Sequence, residues 1–175
     1  MKISNDIRIF IIEDNEAQCE IVCSKLLEFN PQYSILKFKN GNELLKHFGS
    51  GYVKNKFNYL ILDYYLKTTD ESDILSGYEI IKKLQNEYSR VKIILFSVFD
   101  NEDDSSFTKL NEESNVVECV KKSEHSYSSI QNIIRFDYAQ NSLQRKKRRF
   151  QWVLSAFIVM LTLSILHFLF TFLSF

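Results

Sequence analysis

The sequence predicts an α/β protein with a doubly wound, five-stranded parallel sheet, followed by one C-terminal transmembrane helix. Five short apolar runs alternate with helix-like segments, which is the pattern of consecutive βα units. Four of these runs end directly in a reactive side chain, and the carboxyl ends of parallel strands meet at one edge of a sheet. The last segment, residues 150–175, contains no Asp, Glu, Lys or Arg.

The predicted strands are short and mostly apolar, as strands buried on both faces of a sheet require. They cover residues 7–12, 33–38, 57–62, 91–96 and 116–120. Between and after them, helices are predicted over residues 15–29, 40–48, 78–88, 100–114 and 126–143.

Local signals place the helix boundaries. Asn30-Pro31 ends the first helix. The expected apolar stripe of this helix consists of Ala17, Ile21, Val22, Leu26 and Phe29. Asn40 and Glu43 form a capping-box pattern at the start of the second helix, and Gly49 to Gly51 are expected to end it. Residues 64–76 are expected to form a polar loop.

Charge is unevenly distributed, although the formal net charge is zero. Five of the 22 basic residues form one run at 145–149, so the other 17 face 22 acidic residues. The body of the protein is therefore acidic, which argues against binding to nucleic acid. The three cysteines, Cys19, Cys23 and Cys119, lack a metal-type pairing with histidine and are expected to be buried free thiols in a reducing cytosol.

The C-terminal segment has the length of a membrane span. Residues 152–175 would extend about 36 Å as a helix, enough to cross a hydrocarbon core of roughly 30 Å. The basic run precedes the span, and basic residues stay on the cytoplasmic side, which makes the run an orientation signal. We therefore expect a single-pass C-terminal anchor in the cytoplasmic membrane, with the preceding domain facing the cytoplasm.

Three regions follow from these patterns: a soluble domain over residues 1–138, a basic juxtamembrane helix or linker over 139–149 and the anchor over 150–175. Because residues 139–149 contain neither Gly nor Pro, we expect the last soluble helix to continue into the span.

The reactive side chains at the strand ends suit metal-assisted phosphoryl chemistry. Glu13 and Asp14 follow the first strand, Asp63 the third, Ser97 the fourth, and a lysine pair the fifth. Clustered carboxylates can hold Mg²⁺, which offsets the charge of a phosphoryl group attacked by a carboxylate. An ammonium can pair with a phosphate oxygen, and a hydroxyl can donate to another and move when phosphate arrives.

This arrangement resembles the receiver domain of two-component response regulators, from about residue 7 to residue 135. The resemblance rests on Glu13-Asp14, Asp63, Ser97 and Lys122 in this order, and on Gly77-Tyr78-Glu79 at the start of the third helix. It implies a flavodoxin-like receiver fold, Mg²⁺ as cofactor, and a sensor histidine kinase or phosphotransfer protein as partner.

The resemblance also assigns roles. Asp63 is the expected phosphoacceptor, and Glu13, Asp14, Asp63 and the main-chain carbonyl of Tyr65 form the expected Mg²⁺ site. Ser97 is the expected switch hydroxyl. Lys122 is expected to pair with the phosphate. It is preferred to Lys121 because the family lysine lies three residues after the aromatic switch residue, whose position here is held by Cys119.

Each assignment has a local alternative: Asp14 as a cap of the first helix, Asp63 as an ordinary loop acid, Ser97 as a turn cap and Lys122 as a solvated charge.

Several positions depart from the family pattern. Cys119 replaces the usual aromatic switch residue, Ser123 the proline that often follows the lysine, and Val98 a smaller residue. The loop after Asp63 is about six residues longer than usual in the family. These departures affect the switch and the dephosphorylation rate, whereas the nucleophile, the acids and the lysine are all present.

The sequence thus indicates a membrane-anchored receiver without a separate output domain, which accepts a phosphoryl group and is not an enzyme beyond slow self-dephosphorylation. The alternative is a phosphorylation-independent, membrane-tethered scaffold with a receiver fold. A phosphatase with an aspartate nucleophile is disfavoured, because Tyr65 occupies the position of its second acid. A homodimer is possible, but the span lacks the Gly-x-x-x-Gly motif.

Overall fold

The computed structural model describes residues 6–51, 56–66, 75–98 and 115–173. Within these residues the chain forms five strands and four helices: β1 (Ile7–Ile12), α1 (Glu16–Phe29), β2 (Ser34–Phe38), α2 (Gly41–Gly51), β3 (Phe57–Leu62), α3 (Gly77–Glu87), β4 (Lys92–Ser97), β5 (Val116–Lys121) and α4 (Ser126–Leu173). The strands form one parallel sheet in the order β2-β1-β3-β4-β5. The predicted fold class is confirmed. The helix predicted over residues 100–114 lies outside the described residues.

The strand predictions agree with the structure to within one residue, and β1 and β3 agree at both ends. Helix α2 was predicted to reach about Phe48 and to end over Gly49 to Gly51; it ends at Gly51, the last residue of this range. A glycine ends a helix by adopting a left-handed conformation, and no described glycine has a positive φ. The hydroxyl of Ser50 donates to the carbonyl oxygens of Lys46 and His47, as in an ordinary helical turn.

One face of the sheet packs against α2 and α3. Phe10 and Leu62 belong to a buried cluster with Leu44 and Phe48 of α2 and Ile80 of α3. Because side chains alternate along a strand, the residues between these point to the opposite face. This face holds Phe96, whose ring lies 6.0 Å from that of Tyr127 in the first turn of α4.

Helix α1 buries Val22 and Leu26 of its predicted apolar stripe, but not the other members. Its buried residues are Cys19, Val22 and Leu26, spaced at i, i+3 and i+7, whereas Ile21 and Phe29 are 44% and 46% exposed. The prediction is therefore confirmed for Val22 and Leu26 and wrong for Ile21 and Phe29, and also for Ala17, which is exposed. The cysteines show the same difference, since Cys19 is buried while Cys23 and Cys119 are only partly buried.

A complete capping box begins α3. The hydroxyl of Ser76 accepts from the amide of Glu79, and the Glu79 carboxylate accepts from the amide of Ser76. At α2 only half of the predicted box forms: Asn40 accepts from the Glu43 amide, but the Glu43 carboxylate accepts from the amide of Lys39 rather than from Asn40.

Glycine is required at the start of α3. A Cβ atom at Gly77 would lie 2.8 Å from the carbonyl oxygen of Tyr64, closer than a real contact allows. The absence of a side chain therefore lets α3 pack directly against the segment that follows Asp63.

The chain divides into two compact units, Met1–Ile134 and Arg135–Phe175. In the first unit, α4 buries Ile130 and Ile134. Helix α4 extends without a break to Leu173. By length and composition it is the one helix among the described residues that could cross a membrane, with a window of mean hydropathy 2.4 of which no part is buried. The boundaries at residues 138 and 149 remain predictions.

Candidate functional site

Four strands bring five polar side chains to one edge of the sheet. Glu13 and Asp14 directly follow β1, Asp63 follows β3, Ser97 is the last residue of β4 and Lys122 follows β5. All four strands run in the same direction, so these ends lie side by side. The five residues are separated by as many as 109 positions in sequence and meet only because of the sheet topology.

Backbone hydrogen bonds fix the positions of these residues along the strand direction. The Asp63 amide donates to the carbonyl oxygen of Ile12 at 3.0 Å, which aligns the end of β3 with the end of β1. The Lys122 amide donates to the carbonyl oxygen of Ser97, also at 3.0 Å, which aligns β5 with β4. The ladder hydrogen bonds therefore continue to the residues that carry the polar side chains.

The Asp63 carboxylate is the centre of the cluster and accepts a hydrogen bond on both oxygens. The Ser97 hydroxyl donates to Oδ1 at 2.9 Å, and the backbone amide of Tyr65 donates to the same oxygen at 3.1 Å. The Lys122 ammonium donates to Oδ2 at 2.6 Å. Since Asp63 is only 7% exposed, these donors replace the water that an exposed carboxylate would bind.

Lys122 bridges two acids. Its Nζ atom lies 2.8 Å from Oε2 of Glu13 as well as 2.6 Å from Asp63, and it also lies 5.3 Å from the centre of the Phe96 ring. The neighbouring Lys121 is exposed. Of the two lysines considered from sequence, the structure therefore places Lys122 beside the acids.

Burial and ion pairing oppose each other in this cluster. Burial raises the pKa of Glu13 above its ordinary value, although the hydrogen bond and charge of Lys122 act in the opposite direction. For Lys122, burial alone lowers the pKa, but the hydrogen bonds to Asp63 and Glu13 outweigh it and the pKa is raised. Lys122 is therefore firmly protonated at neutral pH, whereas ionised Glu13 is costly to bury.

Three of the carboxylates fit a divalent cation. One oxygen each from Glu13, Asp14 and Asp63 lies within 4.8 Å of the others, and Asp14 is exposed while the other two are buried. Carboxylate oxygens are the ligands Mg²⁺ prefers, and an exposed ligand leaves room for the waters it retains. The set of donors thus fits Mg²⁺. The carbonyl oxygen of Tyr65 as a further ligand stays a prediction.

A cavity of about 300 Å³ adjoins the acidic pair on the side of α1 and β2. Its lining mixes acids with lysines, and Lys37 and Glu20 form an ion pair there. The cavity leaves the carboxylate of Asp14 accessible from this side.

The structure brings together Glu13, Asp14, Asp63, Ser97 and Lys122, as predicted from sequence. Sequence reasoning missed three contributors: the Phe96 ring beside Lys122, and the backbone amides of Tyr65 and Asn15, the latter donating to Glu13 at 3.4 Å. Their only signal was position, because each is within two residues of a reactive side chain.

The hydroxyl of Ser97 is buried inside the cluster. Ser97 is 1% exposed and donates to Asp63, and its movement when phosphate arrives stays a prediction. Two of the departures from the family pattern lie near it. Val98 is 53% exposed, and Cys119, which is level with Leu95 in the sheet, packs against the core cluster.

Comparison with known proteins agrees with this geometry. A family model described as the response regulator receiver domain matches residues 9–133. No curated protein matches the sequence.

Solved structures provide further matches. The response regulator protein TrrA from Thermotoga maritima, in complex with Mg²⁺-BeF, is 25% identical with a TM-score of 0.52, covering 72% of this chain and 97% of its own. A response regulator receiver domain protein from Clostridium thermocellum has 17% identity and a TM-score of 0.61, covering 79% and 98%. A CheY-like receiver domain protein from Methanospirillum hungatei has 17% identity and a TM-score of 0.60, covering 78% and 97%.

Proposed function

Because the chain belongs to the response regulator receiver domain family, we propose that it accepts a phosphoryl group on Asp63 from a sensor histidine kinase or a phosphotransfer protein. The observation that supports this most directly is the environment of Asp63. Its carboxylate lies at the strand edge with a hydroxyl on one oxygen and an ammonium on the other. This is the arrangement needed by a nucleophile that attacks an anionic group and then holds it.

The transfer is a displacement at phosphorus. A carboxylate oxygen of Asp63 forms the new P–O bond, the P–N bond to the donor histidine breaks, and its electron pair stays on the imidazole. Lys122 is already within 2.6 Å of Asp63, so only a small shift of the ammonium is needed for it to pair with a phosphoryl oxygen. Its remaining bond to Glu13 keeps the amine in place during this exchange.

We propose that Glu13, Asp14 and Asp63 hold Mg²⁺, with the carbonyl oxygen of Tyr65 as a further ligand. Three carboxylates and one ammonium leave two formal negative charges in the cluster, the charge that a divalent cation balances. When bound, Mg²⁺ would offset the negative charge of the incoming phosphoryl group. The Mg²⁺-BeF complex of TrrA, a receiver-family neighbour, supports this assignment.

Ser97 would report the modification. Once Asp63 is phosphorylated, the hydroxyl loses its carboxylate acceptor and can donate to a phosphoryl oxygen instead. Because the carbonyl oxygen of Ser97 also accepts from the amide of Lys122, a change at Ser97 affects the ends of β4 and β5 together. The docking face that switches would therefore include this part of the sheet.

We also propose that residues 150–175 anchor the protein in the cytoplasmic membrane, with the receiver domain in the cytoplasm. The apolar window of mean hydropathy 2.4, its complete exposure and the preceding basic run support this topology. The chain would act as a phosphoacceptor rather than as an enzyme with an outside substrate.

Phosphorylation of the purified protein by phosphoramidate, a small donor with a P–N bond, tests the site. We expect one Mg²⁺-dependent phosphoryl group per chain, lost in Asp63→Asn and retained in Asp6→Asn, a control at an exposed aspartate before β1. Labelling that survives in Asp63→Asn would refute the assignment. A folded protein that neither binds Mg²⁺ nor accepts phosphate would instead favour the scaffold.

A further inference from the structure

Five consecutive basic residues of α4 form a ring of positive charge, here called the basic collar: Arg145, Lys146, Lys147, Arg148 and Arg149. All five are exposed and helical. Successive residues of an α-helix are rotated by about 100°, so five in a row cover every side of the helix. A surface-lying amphipathic helix carries its bases on one side only, so the collar fits a helix that is surrounded by its binding partner.

The collar lies directly before the apolar segment. Phe150 follows it at once, and Trp152 is 79% exposed, at the position of an interfacial aromatic residue. Along the helix axis the five residues extend about 7 Å, which is close to the thickness of one lipid headgroup layer, roughly 5–7 Å. In a helix that crosses the bilayer, the collar would therefore lie level with the headgroups.

The segment that carries the collar is strongly basic in sequence. After Asp137 the sequence contains no Asp or Glu, so the second compact unit, which begins at Arg135, carries six basic residues and a single acid. Long basic side chains can also extend along the helix to reach a phosphate above or below their own position.

We propose that the basic collar binds the headgroups of anionic phospholipids and gathers these lipids around the helix. This inference rests on the membrane anchor proposed above and goes beyond it, because orientation requires only that bases stay on one side. A base near an anionic surface favours a charged lipid by a factor of about five, so each lipid position at the collar should be enriched about fivefold over the bulk bilayer.

Trp152 is the only tryptophan of the chain and lies three residues after the collar, so its fluorescence reports the lipids at this depth. The full chain is reconstituted into phosphatidylcholine vesicles with a minor fraction of phosphatidylglycerol. In one sample the phosphatidylglycerol carries brominated acyl chains. In a matched sample of the same lipid composition, an equal amount of the phosphatidylcholine carries them instead. We expect brominated phosphatidylglycerol to quench Trp152 several-fold more strongly, and high salt to reduce the difference.

Two variants separate charge from residue type. Replacing all five collar residues with Gln should make the two lipids quench equally, while quenching by phosphatidylcholine persists and shows that the helix is still inserted. Replacing Arg145, Arg148 and Arg149 with Lys keeps the charge and should keep the preference.

Equal quenching by both lipids in the natural protein would overturn the proposal and leave the anchor intact. A preference that persists in the Gln variant would overturn it as well. Absence of quenching by either lipid would show that the helix is outside the bilayer, which refutes the proposed anchor itself. Equal quenching by both lipids together with binding of duplex DNA would show that the collar binds nucleic acid instead.

Discussion

The sheet edge and the basic collar both concentrate charge of one sign, but they do so by opposite means. Glu13, Asp14 and Asp63 come from two strand ends 49 residues apart and meet within 4.8 Å, two of them buried. The collar residues are adjacent in sequence and exposed. Buried like charges need compensation that is fixed inside the fold, and Lys122 supplies part of it. Exposed like charges can take their counterions from solvent or from another molecule.

The two regions should therefore be separable, and deletion of residues 150–175 gives the largest expected effect. The full chain should remain with the membrane fraction after washing with alkaline carbonate, and the shortened chain should be soluble. Phosphorylation of Asp63 in solution should be unchanged, because the hydrogen bonds that its carboxylate accepts come from Tyr65, Ser97 and Lys122, which all precede the deleted segment. Fractionation followed by phosphoramidate labelling measures both.

Either of two results would break this separation. If the full chain is found in the soluble fraction, the proposed membrane anchor is refuted. A shortened chain that is folded by circular dichroism but no longer phosphorylated would show that the sheet edge depends on the C-terminal segment.

Loss of Lys122 tests whether the buried acids need their internal counter-charge. Lys122→Ala leaves Glu13 and Asp63 without the ammonium, so we expect the free energy of unfolding to fall by about 2–3 kcal/mol at neutral pH without Mg²⁺. Added Mg²⁺ should restore part of this loss. The rate of phosphorylation should fall about 10-fold or more, since a charge aimed at the phosphoryl group is missing.

Lys121→Ala is the matched control, because the neighbouring lysine is exposed. It should change the free energy of unfolding by less than about 0.5 kcal/mol. Urea unfolding of both variants, with and without Mg²⁺, gives the comparison. Equal effects of the two substitutions would mean that the ion pairs of Lys122 contribute no more than an exposed charge.

The difference between local and tertiary information also explains what the sequence could predict. Strand ends are local signals, and parallel topology then brings Asp63, Ser97 and Lys122 to one edge without further information. The bridge from Lys122 to Glu13 spans 109 positions and depends on side-chain conformations that no local pattern encodes. The stripe of α1 was predicted only in part for the same reason: Val22 and Leu26 are buried, but packing against the sheet decides that Cys19 is buried with them and Ile21 is not.

The smallest expected effect concerns the pH dependence of Glu13. Burial raises the pKa of its carboxyl group in the folded protein above the ordinary value of 4.5, so folding favours the protonated form. The stabilising contribution of protonated Glu13 is complete below about pH 4.5 and is lost as the pH rises through the raised value. The free energy of unfolding of the natural protein should therefore decrease relative to that of Glu13→Gln over this range, by about 1.4 kcal/mol for each unit of pKa shift.

Mg²⁺ sharpens this prediction, because a cation beside Glu13 favours the ionised carboxylate and lowers its pKa. In the natural protein, the decrease of the unfolding free energy with rising pH should therefore become smaller when Mg²⁺ is added. Glu28→Gln, the same substitution at an exposed residue paired with Lys25, should show the same decrease as the natural protein. Urea unfolding of the three proteins between acid and neutral pH measures it. The result that would contradict this is a difference in unfolding free energy between the natural protein and Glu13→Gln that stays constant across this range. Burial of ionised Glu13 would then carry no cost, because Lys122 would stabilise the carboxylate as well as water stabilises an exposed acid.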